Sequence, residues 1–274
     1  MADSPHPLAA GRHPPCANIN PTLARRVHAP RLPSPLPLMP STMRHPPSFL
    51  PVRAASWPAA LPLALTLLAI TVWRVWVVVH VNAGLYVDEA QYWVWSKSLD
   101  WGYYSKPPMI AALIALSTEL FGDGLLGVKA LAMLCYPLAA WVLHRWVTEV
   151  VAESAAGLPT ELRATVRPGR AGVVAALAFI ASPVAGLLGL AATTDAPLLL
   201  AWALASRALW RAGRHGRPGD WLGLGGWLGL GLMSKYTMAA FALSALGWLW
   251  MLPASAAAPG AWPRRRGLLA AGAV

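Results

Sequence analysis

The chain has 274 residues, of which 57% are hydrophobic and only 12% charged, whereas roughly a quarter of the residues in a soluble domain are charged. The net charge of +11 could indicate nucleic-acid binding, but the arginines cluster between apolar blocks, as in the cytoplasmic loops of membrane proteins. Fifteen tryptophans suit long membrane–water boundaries. The composition therefore excludes an ordinary soluble domain, argues against a nucleic-acid partner, and predicts an all-α integral membrane protein.

The first 81 residues divide into a polar tail and a candidate membrane span. Residues 1–56 hold half of the prolines and little apolar material, so we expect a disordered tail that cannot bury enough surface to offset its ordering entropy. Residues 57–81 are long enough to cross a bilayer core, which takes about 20 residues. Arg74 within this span must snorkel to the interface or face a polar cavity. The basic tail predicts a cytoplasmic N-terminus and an external loop over residues 82–108.

The rest of the chain, a membrane domain over residues 57–274, alternates apolar stretches with basic loops. The apolar stretches after the loop are residues 109–121, 125–147, 171–192, 198–210 and 221–252. Residues 109–121 are too short for a full crossing, and the positive-inside rule also prefers them as non-spanning, because Asp195 then lies outside with the loop. The last stretch is interrupted at residues 234–236, which predicts two short crossings. Since the chain stops within another apolar block, we expect a fragment truncated at its C-terminus.

The external loop contains the densest set of chemically capable side chains, in YVDEAQYWVWSKSLDWGYYSKPP. A carboxylate such as Asp88 or Glu89 can accept a proton from an attacking hydroxyl or help to hold a divalent cation. A lysine such as Lys106 can sit against a phosphate. The topology brings Asp195 and Lys235 to the same face, although each of these residues alone could merely begin a helix or occupy a turn.

Aromatic side chains crowd the same loop. Tyr92, Tyr103 and Tyr104 could line a site for sugar rings or isoprenoid chains, or could belong to an interface belt.

Three segments carry a family resemblance: DEAQYWVWSKSLDWGYYSKPPMIAAL, TTDAPLLLAWALA and GDWLGLGGWLGLGLMSKYT. In this order and spacing they resemble glycosyltransferase family 39 and its bacterial relatives, which include protein O-mannosyltransferases and the aminoarabinose transferase of lipid A. The resemblance runs from about residue 58 to 266. It implies a GT-C fold, a multi-span helical bundle whose site lies on the extracytoplasmic face of the inner membrane.

The resemblance also implies roles for individual residues. Asp88 matches the acid proposed as catalytic base, Glu89 its partner, and Asp195 the second acidic position. Lys106 matches a lysine that contacts the lipid phosphate of a polyprenyl-phosphate sugar donor, and Lys235 is a further phosphate or acceptor contact. The acceptor would be a glycan, a lipid such as lipid A, or a protein, in contact with membrane lipids.

One departure and two alternatives accompany this interpretation. Ser105 stands where the aminoarabinose branch has a glutamate before Lys-Pro-Pro, which leaves the metal requirement and lipid A specificity open. A transporter or lipid-binding membrane protein could use the acid pair to recognise cations. An inactive truncated fragment is the third hypothesis.

Overall fold

The computed structural model describes residues 57–81, 84–252 and 262–274, and within these ranges the regular structure is entirely helical. The predicted tail over residues 1–56 lies outside them. The helices are α1 (Trp57–Val81), α2 (Val87–Ser96), α3 (Met109–Phe121), α4 (Leu125–Ala156), α5 (Thr160–Thr165), α6 (Pro168–Ile180), α7 (Pro183–Leu188), α8 (Asp195–His215), α9 (Pro218–Ser234), α10 (Met238–Met251) and α11 (Arg264–Gly272).

Two helices in the described part, Ala60–Val81 and Leu125–Ala156, are long and apolar enough to cross a membrane. They pack antiparallel. Arg74, near the end of α1, lies over the Tyr136 ring in the first half of α4. Further along, an apolar groove places Ala64 of α1 beside Trp141 of α4. The end of α1 therefore lies alongside the beginning of α4. The chain between these two helices begins and finishes at the same end of the bundle.

Arg74 is a buried member of the α1 face that packs on α4. Its side chain is 2% exposed, and Nη2 donates a hydrogen bond of 2.5 Å to the Ala185 carbonyl in α7. The last carbonyls of a helix lack intrahelical partners and favour a cation. Arg74 therefore stabilises the end of α7 and does not snorkel to the interface.

The short helix α3 precedes α4 in a hairpin. Its 13 residues rise about 20 Å, at 1.5 Å per residue, which is less than the ~30 Å of a bilayer core. Gly122 takes a left-handed φ of 80° in the turn, a conformation that suits glycine, and α4 begins at Leu125. Since α1 ends where α4 begins, α3 does not carry the chain to the opposite end, which agrees with a non-spanning segment.

The predicted span over residues 171–192 is not one continuous helix. The chain forms α6 and α7 instead, separated at Ser182, whose hydroxyl accepts the Ala185 N–H. Pro183 has no N–H to continue the earlier helix, but proline suits the first position of a new one. The break leaves residues 189–194 without regular helix just before α8.

Helices α8, α9 and α10 complete the bundle. The break between α9 and α10 falls at Lys235, as the interrupted apolar stretch predicts. A core of buried side chains joins the three helices and includes Trp221, Leu224, Met238 and Leu249. Helix α8 begins at Asp195, earlier than the predicted stretch, so this acid occupies the first turn of a helix.

Candidate active site

Helix α2 separates the two acids that are adjacent in sequence. Both lie in its first turn, where negative charge is favoured by the helix dipole. Successive residues of a helix point about 100° apart, and here Asp88 is exposed whereas Glu89 is 1% exposed. The two carboxylates therefore meet different surroundings.

Glu89 lies at the centre of a buried network. Its Oε2 accepts hydrogen bonds from Lys129 Nζ at 2.9 Å and from the Tyr86 N–H at 3.0 Å, and its Oε1 accepts the Ala192 N–H at 2.6 Å. The Lys129 ammonium also lies 3.3 Å from the Leu190 carbonyl oxygen. We call this set the Glu89 bridge: the Glu89 and Lys129 side chains with the backbone of Tyr86, Leu190 and Ala192. It joins α2, α4 and the irregular stretch before α8.

Three donors occupy the Glu89 carboxylate, and Lys129 is only 3% exposed. An ammonium and two N–H groups satisfy both oxygens of this buried carboxylate, as a buried ion pair requires. Its oxygens are directed at protein donors, which leaves the exposed Asp88 as the acid of this pair that can meet a substrate.

The second acid is paired with the second predicted lysine. Asp195, in the first turn of α8, accepts a hydrogen bond of 2.8 Å from Lys235, which follows α9 directly. The side chains are 31% and 33% exposed respectively, so the pair can be reached from outside the bundle. The predicted proximity of these two residues is thus observed.

Tyr92 is one helical turn after Asp88 and is 3% exposed. It belongs to the same cluster of buried apolar side chains as Ala196, which follows Asp195 directly. Burial raises the pKa of the Tyr92 hydroxyl, and the negative charges of Asp88 and Asp195 raise that pKa further. This packing brings the helix that bears Asp88 to the start of α8.

The remaining predicted residues lie on the segment before α3. The four lysines of the chain are all described, and three of them pair with an acid: Lys97, Lys129 and Lys235. The side chain of Lys106 is half-buried and makes no hydrogen bond or ion pair with the residues that the structure describes. It is the lysine whose ammonium is available to a ligand anion.

The two other predicted tyrosines differ in environment. Tyr103 stacks on Trp95, with ring centroids 4.6 Å apart, and its hydroxyl lies 3.0 Å from the Trp95 carbonyl oxygen. Tyr103 thus packs the loop against α2. Tyr104 is fully exposed and contacts neither acid.

No group of three or more histidine, cysteine, aspartate or glutamate side chains is arranged to hold a metal ion within the described residues. The three predicted acids stand as separate carboxylates: Asp88 is exposed, and Glu89 and Asp195 each pair with a lysine. Lys129 is the site residue that the sequence analysis did not identify. Its signal was an ionisable residue inside an apolar span, a placement that is costly and by default marks a function.

The described helices thus form a bundle in which two lysine–acid pairs lie near the start of α8, with the exposed Asp88 next to one of them in sequence. Comparisons with known proteins identify the class. The family model described as dolichyl-phosphate-mannose-protein mannosyltransferase matches residues 105–263, which is more than half of the chain. The chain therefore belongs to this family, and it is an all-α membrane protein of the GT-C glycosyltransferase type.

A curated relative is also similar to the chain. It is the lipid A galacturonosyltransferase RgtD of Rhizobium johnstonii (strain DSM 114642 / LMG 32736 / 3841), 33% identical over 175 residues, which cover 64% of the chain and 34% of the relative. The chain thus spans about a third of that protein's length. No solved structure matches the chain. The family match includes Lys106, Asp195 and Lys235, whereas Asp88 and Glu89 lie before it.

Proposed function

We propose that the chain forms the acid- and lysine-bearing part of a membrane glycosyltransferase that takes its sugar from a polyprenyl-phosphate donor. The observation that carries this proposal is the Glu89 bridge, which ties the turn of α2 that bears Asp88 to the segment that leads into Asp195. Family membership supports the reaction class. Because the related RgtD is named for galacturonosyl transfer to lipid A, lipid A is the acceptor that we would test first.

The proposed reaction is a displacement at the anomeric carbon of the donor sugar. The acceptor hydroxyl oxygen forms the new bond to that carbon as the bond to the phosphate oxygen breaks, so the configuration inverts. Asp88 accepts the hydroxyl proton as general base, since an exposed carboxylate can approach an incoming substrate. The polyprenyl phosphate leaves with the bonding electron pair.

The lysines would act on the leaving phosphate. Lys106 has no acidic partner in the described chain, so its ammonium can approach the donor phosphate as a point charge and stabilise the charge that develops there. Lys235 is held by Asp195 at 2.8 Å, which orients it as a second cation beside the site. We place this chemistry at the extracytoplasmic face of the inner membrane, since the basic loops predict that the opposite end is cytoplasmic.

The test is sugar transfer in membranes of cells that express the protein. Labelled polyprenyl-phosphate sugars, including a galacturonosyl donor, are supplied with lipid A, and wild type is compared with Asp88→Asn. We expect transfer by wild type and a loss of at least 100-fold in the variant, the scale of a general base. The control is Glu119→Gln, which makes the same charge change on an exposed position of α3.

Three outcomes decide the proposal. Transfer by wild type and Glu119→Gln but not by Asp88→Asn supports it and identifies the donor. Equal transfer by all three proteins removes Asp88 from the chemistry. Absence of transfer from every donor, with all three proteins inserted in the membrane, contradicts the glycosyltransferase proposal and favours the transporter hypothesis.

A further inference from the structure

We infer that Glu89 and Lys129 are positioning residues, and that the Glu89 bridge fixes the distance between Asp88 and Asp195. The inference rests on the proposed function for its kinetic consequence, but the bridge itself is visible in the contacts. It assigns Glu89 a role other than the catalytic one that the sequence predicts, and it adds Lys129 to the site.

The chain connectivity shows how the bridge acts on both acids. Glu89 is the immediate neighbour of Asp88 in the first turn of α2, so fixing the Glu89 side chain also fixes the backbone of Asp88. On the other side, Glu89 Oε1 holds the Ala192 N–H at 2.6 Å, three residues before Asp195. The two acids, 107 residues apart in the sequence, are therefore linked through a single carboxylate.

Lys129 completes the link from α4. Its ammonium reaches Glu89 on one side and the Leu190 carbonyl on the other, so it contacts the segments of both acids at once. Helix α4 is the longest helix of the described chain and packs against α1, α3, α6 and α8. Lys129 thus fixes the short helix α2 and the irregular stretch before α8 to the most extensively packed helix.

Burial separates this pair from an ordinary surface ion pair. The side chains are 1% and 3% exposed, so water cannot replace a lost partner. Removing one partner of a buried pair is strongly destabilising, whereas removing both charges together is often tolerated. The bridge can therefore be altered in two ways that keep the protein folded, one that changes its length and one that changes its charge.

The first variant, Glu89→Asp, keeps the charge pair but shortens the side chain by one methylene, about 1.5 Å. The second, Glu89→Gln with Lys129→Met, keeps the side-chain lengths and removes both charges. In each case we expect kcat per folded protein to fall about 100-fold with little change in KM, because a displacement of about 1 Å can cost that much. Lys129→Arg, which keeps the cation, should retain more activity than the double variant.

The matched control is the double variant Lys97→Met with Asp123→Asn. Lys97 follows the last residue of α2, and it pairs at 2.6 Å with Asp123 in the turn between α3 and α4; both are about half exposed. The pair holds the end of α2 that is away from Asp88. We expect kcat and KM close to wild type, since one lysine and one acid charge are again removed without touching the bridge.

A second measurement does not depend on activity. Hydrogen exchange in detergent micelles should show slow exchange at residues 190–195 in wild type, and exchange at least tenfold faster in Glu89→Asp and in the Glu89/Lys129 double variant. If wild type transfers no sugar but exchange follows this pattern, the proposed reaction fails and the bridge stands as a link between the two segments.

Two results would overturn the inference. One is unchanged kcat and unchanged exchange in both bridge variants. The other is that neither variant gives folded protein, in which case the pair is required for folding and has no separable positioning role.

Discussion

Ion pairs hold both ends of the bundle, and they are built differently. At the end opposite the site acids lies a network that we call the arginine ladder, in which four residues of α8 meet two glutamates of α4 and one acid of α9. Arg207 and Arg211 pair with Glu149, Arg211 also pairs with Asp220, and Arg214 and His215 pair with Glu153. At the site end, Glu89 pairs with Lys129 and Asp195 with Lys235, one lysine to each acid.

The difference lies in redundancy. Each ladder glutamate has two basic neighbours, and the ladder side chains are 13% to 36% exposed, so water or a second partner can replace a lost contact. Arg207 also binds Glu149 through two nitrogens, a geometry that fixes orientation. The ladder therefore tolerates the removal of one basic side chain, whereas each ion pair at the site end depends on a single lysine.

Among the ion-pair variants of the two ends, Lys129→Met should cause the largest loss of folding stability. It leaves the buried Glu89 carboxylate without a counter-charge, and breaking such a pair costs about 3–5 kcal/mol. Thermal unfolding in detergent measures the loss, and Arg207→Met is the matched change in the ladder, with an expected cost of about 1 kcal/mol. Equal losses in the two variants would mean that the site end is no more fragile than the ladder.

An intermediate effect is expected for Glu149→Gln. This change removes the charged acceptor of Arg207 and weakens the contact with Arg211, at a cost of about 1.5–3 kcal/mol, the range for hydrogen bonds to charged groups. The same unfolding measurement should place it between Lys129→Met and Arg207→Met. A loss as large as that of Lys129→Met would show that the ladder is not redundant.

A smaller effect on stability is expected for Lys235→Met. The pair with Asp195 is about one-third exposed, and such pairs contribute about 1 kcal/mol or less. Under the proposed function, however, transfer should fall more than tenfold in kcat/KM, because the cation beside the donor phosphate is lost. A variant that is destabilised but fully active would assign Lys235 to the scaffold.

The smallest effect should be that of Asp123→Asn. Hydrogen bonds from Lys97 and from Trp93 lower the pKa of Asp123, so the contribution of this carboxylate to stability is present at neutral pH. It is lost only as the pH falls below the unfolded value of about 3.9. The unfolding midpoint of the variant should therefore lie slightly below wild type at pH 7, and the difference should shrink as the pH falls below about 3.9.

Much of the fold could be predicted from the lengths of the apolar stretches and from the polar residues that interrupt them. Helices α1 and α3 have their predicted bounds, and the break at Lys235 falls where the apolar stretch is interrupted. The break at Pro183 was missed because hydropathy does not register a proline between two apolar runs. Helix α4 extends past residue 147 to Ala156, since Glu149 and Glu153 gain arginine partners that a single-segment pattern cannot reveal.

The site was predictable in its residues but not in its pairings. The sequence and the family resemblance place Asp88, Asp195 and Lys235 together, because charged residues at the ends of apolar spans share a face. They do not show that Glu89 turns inward, since helix α2 and its rotation about its own axis are set by contacts with distant parts of the chain. Lys129 carried a signal as an ionisable residue inside an apolar span, but its pairing with Glu89 could not be predicted from the sequence.

The bridge has a consequence for which substitutions position 192 can accept. Ala192 contributes its backbone N–H, which every amino acid except proline supplies, and it is fully buried, which excludes large side chains. An alanine scan would not test this position, because the residue is already alanine. A substitution at position 192 should be accepted when the new side chain is small and the residue has a backbone N–H, whatever its polarity. We therefore expect glycine and serine to preserve the bridge, and proline and leucine to disrupt it.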